Sequence, residues 1–225
     1  MTAAGVHQAA PGAASAPAAR PGPAWLRLAW LYLVSRRAPV ALALLAGLGA
    51  LLWAALHWHW NVAGGPAAQV MFPLVTEAGA AAVIAATTYG PFGEPERATG
   101  RWLPYLRLGA ALALTAAAIG ALALGSTGGG LPGGFAAMAR NVAGMTGVGL
   151  MCAIVLGGTL AWTGPVAYWV LAEAALANGL TTPWIWPARP PADHGGAICA
   201  YLVFAAGLAL ITVRGVRETA RDRTT

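Results

Sequence analysis

Three ionisable residues fall within or at the edge of long apolar runs: Glu77, Arg140 and Glu173. A charge at bilayer depth is costly, so such residues pair, line a pathway, or stay protonated. Glu77 and Arg140 are expected at similar depth, where they can pair. Glu173 is expected near the middle of its own run with no Arg or His beside it. It reads either as a polar lining of a pathway or subunit interface, or as a protonated core acid. His57 and His59 form an HxH pair, and His194 follows Asp193 further on. They are weak metal or haem candidates, because positions i and i+2 of a helix point about 200° apart and serve one ion only where the helix ends. Interfacial histidines within a Trp belt are the simpler expectation.

Other chemistries lack their residues. The thirteen basic residues are all Arg, which removes Schiff-base lysines and the phosphate-loop lysine. Ser occurs only at 15, 126 and 35, and Gly125-Ser126-Thr127-Gly128 misplaces the serine that a rhomboid-type intramembrane protease needs. The two Asp, Asp193 and Asp222, lie outside the apolar runs, and no HExxH occurs. Cys152 and Cys199 show neither CxxC nor metal spacing and read as small buried hydrophobes. Catalysis by this chain alone is not expected, and no metal is assigned to it.

The elements that must position these groups follow from composition. With 58% hydrophobic and 9% charged residues, against roughly 25% charged in soluble domains, the 225-residue chain belongs in a bilayer. Six apolar runs approach the roughly 20 residues that cross a hydrocarbon core: residues 38–57, 69–90, 106–125, 136–161, 165–181 and 197–214. The expected fold class is all-α, a polytopic membrane protein with six transmembrane helices, since no run shows barrel-like alternation. The expected division is a disordered tail over 1–23, a six-helix transmembrane domain over 24–215 and a cytoplasmic tail over 216–225. A cleavable signal peptide is not expected, because the first apolar run starts too far along the chain. Residues 24–37, rich in Trp, Tyr and Arg, suggest an N-terminal interfacial helix. Gly164-Pro165 is expected to break the chain between the fourth and fifth spans.

With both termini cytoplasmic, all Arg except Arg140 and Arg189 lie inside, as the positive-inside rule demands. The Arg excess then faces anionic membrane lipids, and nucleic acid is not an expected partner. Trp184 and Trp186 fall in an external segment and are expected in an aromatic belt.

The densest signal lies between the second and third spans, in Gly90-Pro-Phe-Gly-Glu94-Pro-Glu96-Arg97-Ala-Thr-Gly100-Arg101-Trp102-Leu103-Pro-Tyr-Leu-Arg107. Mixed charges, a Pro-Glu start and an apolar patch describe a short docking helix. The Glu-x-Glu-Arg-x-x-Gly run is similar to the Glu-Arg-Glu-x-Gly-Thr pattern of ABC-2 type transporter permeases, which place it in this loop of six spans. An interfacial connector, a short fourth-to-fifth turn and a longer external fifth-to-sixth loop also resemble that family. The stretch Ala139-Arg140-Asn141-Val142-Ala143-Gly144-Met145-Thr146-Gly147 looks like a run of its short actinobacterial members. Here Arg101 stands where the pattern has Thr, and Pro95 interrupts the acidic pair.

The resemblance implies a multi-pass permease subunit of the plasma membrane, without ATPase or catalytic residues of its own. Glu94, Glu96, Arg97, Gly100, Arg101, Trp102 and Leu103 would form a coupling loop resting on separate cytosolic ATP-binding subunits. ATP and magnesium would sit in those subunits, with no cofactor in this chain. A second permease copy, identical or not, would complete an exporter of a hydrophobic or amphipathic molecule. The rival expectations are a non-transport membrane anchor or haem-handling subunit, to which the HxH pair would belong, and the substrate-capturing subunit of a vitamin importer.

Overall fold

A helix satisfies its backbone hydrogen bonds internally, which a chain this apolar requires. The structure, a computed structural model, describes residues 37–57, 66–88, 103–131 and 133–214. Six helices make it up: α1 (Ala38–His57), α2 (Pro66–Thr87), α3 (Leu103–Gly125), α4 (Gly134–Val155), α5 (Thr163–Ala177) and α6 (His194–Arg214). Single 3₁₀ turns at Gly158–Leu160 and Trp186–Ala188 interrupt the connections, and no strand occurs among the described residues.

α1, α4, α6 and Pro104–Gly125 of α3 are long and apolar enough to cross a membrane. α2 contributes an apolar stretch over Met71–Thr87. α5 has 15 residues, about 22 Å of helix at 1.5 Å per residue, short of the roughly 30 Å hydrocarbon core. The chain is thus an all-helical protein of membrane type.

The helices alternate in direction. Gly49 and Gly125 bring α1 and α3 together, and Gly128, just beyond α3, meets His57 at the end of α1, so these two run parallel. Asn141 bonds Glu77, while Gly149 meets Ala85, so α2 and α4 run parallel in the opposite sense. α6 joins that second set: Gly144 meets Ala200, and Gly147 lies against Val203, Phe204 and Gly207. At one end of the bundle Ala85, Ala111, Leu150, Ala153, Ala161 and Ile211 cluster. Toward the other, Leu74, Ala78, Met145, Ala172, Ala175 and Ile185 do so.

α4 is the axis of the fold. It contacts α2, α3, α5 and α6, and 67% of its apolar window is buried against 22–33% in α1, α3 and α6. Its glycines permit this. A Cβ on Gly147 would lie 2.6 Å from the Phe204 Cα, and one on Gly207 2.7 Å from the Gly147 carbonyl oxygen. Lipid tails are as apolar as leucine, so close backbone packing, rather than apolarity, holds such helices together.

The connection between α4 and α5 corrects the expected one. The expected run 136–161 ends as a helix at Val155, and the break falls at Gly157, whose φ of 91° a side chain would oppose. Gly164 and Pro165 lie inside the first turn of α5. There a proline costs no hydrogen bond, because the first N–H groups of a helix have no partner within it.

The expected tail over 1–23, the interfacial segment before Arg37 and the C-terminal tail lie outside the described residues, as do His59, Glu94, Glu96, Arg97, Gly100, Arg101 and Trp102. Leu103 opens α3.

Candidate functional site

On α2, Pro73 and Glu77 are four residues apart and share a face; on α4, Ala137, Arg140 and Asn141 do the same at spacings of three and four. These two faces, bordered by the segment between α5 and α6 with Pro191, line a half-open cavity of about 170 Å³. It runs from Gly133 and Pro191 to Glu77 in the middle of α2. Its polar walls are themselves buried: Glu77 is 5% exposed, Arg140 2% and Asn141 7%.

Glu77 and Arg140 do come to one place, but not as an ion pair. Asn141 stands between them. Its Nδ2 donates to Glu77 Oε2 at 2.9 Å, and its Oδ1 accepts from Arg140 Nε at 3.4 Å. Arg140 spends its other described bonds on carbonyl oxygens, Nη1 to Pro190 at 3.1 Å and Nη2 to Arg189 at 3.4 Å. Each buried group is therefore bonded to neutral dipoles. Among the described residues Glu77 Oε1 has no hydrogen bond, and Arg140 keeps two of its five N–H donors.

The segment that borders the cavity is fixed twice. Arg189 grips Asp193 bidentately, Nη2 to Oδ1 at 2.6 Å and Nε to Oδ2 at 3.0 Å, and its Nη1 donates to the Thr181 carbonyl at 2.7 Å. Asp193 also accepts from the Gly196 N–H and so caps α6. The Arg189 hydrogen bonds, helped by the Gly196 N–H, hold the Asp193 carboxyl down at about 2. In return the carboxylate raises the Arg189 guanidinium.

Deeper in, Trp186 is 2% exposed, stacks on Tyr168 at 4.4 Å between ring centroids, and lies where a Gly144 side chain would be. The two tryptophans expected in an aromatic belt stand in different surroundings. Trp184 is exposed, while Trp186 is a wedge in the bundle beside buried Ile185.

Glu173 does not join the cavity. It sits one turn from the end of the short α5, part-buried, and accepts from Trp169 Nε1 at 3.2 Å on its own helix. It is therefore displaced from the expected mid-span position. His57 ends α1, donating from Nδ1 to the Trp53 carbonyl at 2.9 Å and stacking on the Trp53 ring. His194 opens α6. Among the described residues no three His, Cys, Asp or Glu side chains gather as a metal site.

Asn141 and the Arg189–Asp193 clamp are the functional groups that sequence reasoning missed. An Asn beside the one Arg in the 136–161 run was the available signal, since a second hydrogen-bonding group there needs a partner. No protein-family model, curated protein or solved structure matches the chain.

Proposed function

We propose that this protein is the membrane-spanning permease subunit of an ABC-2 type transporter, exporting a hydrophobic or amphipathic molecule across the plasma membrane. All six helices cross or enter the bilayer in this reading, with both termini cytoplasmic. One observation carries it: the four long apolar helices and the α2 stretch form two opposed sets, α1 with α3 against α2, α4 and α6, and the charged segment 90–107 runs from the connection after α2 into the first residues of α3. The Arg distribution supports the orientation. Arg37, Arg107 and Arg214 belong to the starts of α1 and α3 and the end of α6, one common side. Arg140 and Arg189, on the other side, are both engaged in hydrogen bonds.

In mechanism, cytosolic ATPase subunits holding ATP and magnesium close on nucleotide and push on the coupling segment. Glu94, Glu96, Arg97 and Arg101 orient that contact, and Trp102 and Leu103 anchor it. The stroke tilts the helices of this chain against those of a second permease copy, between states of different cargo affinity.

The test is to purify the full chain with its cytosolic ATPase and measure association and cargo-stimulated ATP turnover. E96K with R97E, and separately Leu103→Asp, should weaken association or uncouple turnover. Deleting residues 1–20 should do neither. Wild-type association and turnover in all three variants overturns the reading.

A further inference from the structure

The cavity between α2, α4 and the segment before α6 is too small for a large amphipathic cargo. At about 170 Å³ it holds roughly 11–17 water-sized heavy atoms, given that one water needs on the order of 10–15 Å³ by this measure. Its lining is costly for a structural void. An acid and a guanidinium are both more than nine-tenths buried, yet Asn141 keeps them from neutralising each other. Fusing them into a direct ion pair would satisfy both and leave nothing to bind. Instead an acid and a guanidinium share the lining of one cavity, each with hydrogen-bonding capacity left over among the described residues: Glu77 Oε1 as acceptor, and two Arg140 N–H groups as donors.

From this separation of acid and guanidinium by Asn141 we infer that the cavity is a binding site for a small zwitterion, with its primary ammonium on Glu77 and its anionic oxygens on Arg140. The ammonium supplies the donors Glu77 lacks, and the oxyanion takes the unused guanidinium N–H groups. Asn141 sets the spacing by bonding both residues. Pro73 and Pro191 supply stiff apolar walls, and Arg189, already bound to Asp193, contributes backbone acceptance to Arg140 rather than a second free charge. Two sources carry this chemistry. One is a soluble zwitterion and the other the ethanolamine-phosphate headgroup of a lipid. The site stands apart from the coupling segment, so the inference does not depend on the ATPase reading.

The test uses the full chain purified in detergent and titrated calorimetrically with O-phosphoethanolamine, ethanolamine and inorganic phosphate in separate runs. In parallel, native mass spectrometry follows lipid retention from vesicles of equal phosphatidylethanolamine and phosphatidylglycerol. The expected result is that O-phosphoethanolamine binds at least about tenfold more tightly than either half, or that phosphatidylethanolamine is retained over phosphatidylglycerol. Binding of the soluble probe without lipid preference assigns the soluble source; lipid preference assigns the headgroup. Glu77→Gln should weaken the binding about tenfold or more, and Ala137→Leu, which fills the cavity while leaving both charges, should abolish it. The inference is overturned if wild-type protein shows neither binding nor lipid preference, if either half binds as tightly as the whole, or if both variants bind as wild type. The wild-type comparison of whole and halves decides the matter even where a variant fails to fold.

Discussion

α1 and α4 have 20 and 22 residues and both are apolar enough to cross a membrane, yet they hold opposite places. α1 is the more apolar and lies at the periphery, with Val40, Leu42, Leu44 and Trp53 exposed. α4 carries Arg140, Asn141, Thr146 and three tightly packed glycines, and is the most buried helix of the long four. In water the ranking would be reversed. In a bilayer leucine gains nothing by leaving lipid, so the centre goes to the helix that offers close backbone contact and must hide its polar groups.

The comparison breaks most visibly at the glycines. Gly147→Leu should cost about 3 kcal/mol or more, because backbone of α6 occupies the space a side chain would need. Gly47→Leu on α1, where nothing lies within 4 Å of the added Cβ, should shift stability by less than about 1 kcal/mol, in the stabilising direction. Denaturant titration of both variants in detergent measures the pair. Next comes Asn141→Leu, which leaves Glu77 and Arg140 buried without their bridge. A loss of roughly 2–4 kcal/mol in the same titration is expected.

A smaller effect follows pH. The folded Asp193 value of about 2 lies below its ordinary 3.8, so its contribution is complete above about 4 and is lost as pH falls through 2. Quenching of tryptophan fluorescence should report Trp186 loosening across that window. Asp193→Asn should remove the pH dependence. Smallest of all, Leu44→Ala on the exposed face of α1 should change stability by less than about 0.5 kcal/mol. A larger loss would mean that another chain covers that face.

The bounds of α1 were legible because an apolar run stops at Arg37 on one side and at His57-Trp58 on the other. The turn after α4 was less so. Gly164-Pro165 carries a strong helix-breaking signal, but a proline in a first turn obeys the same rule without breaking anything, and Gly157 carries the positive φ instead. The site was legible in part. Burial cost alone flagged Glu77 and Arg140 and placed them at similar depth. That they would be joined through Asn141 depends on helix rotation, which an all-round apolar helix does not encode in its period. Trp186 shows the same gap. Tryptophan in an external segment fits a membrane interface, and only the missing side chain at Gly144 makes room for it in the core. Glu173 moved toward a helix end because α5 stops at Ala177, before Asn178-Gly179, whereas the expected run continued to 181.

The central claim is that the segment between α2 and α3 meets a cytosolic ATPase. A photo-cross-linking amino acid placed at Glu96, and in a second protein at Ser126, tests it in intact membranes. The account predicts a cross-link to the ATP-binding subunit from position 96 and none from position 126. No adduct at 96, or equal adducts at both, would contradict it.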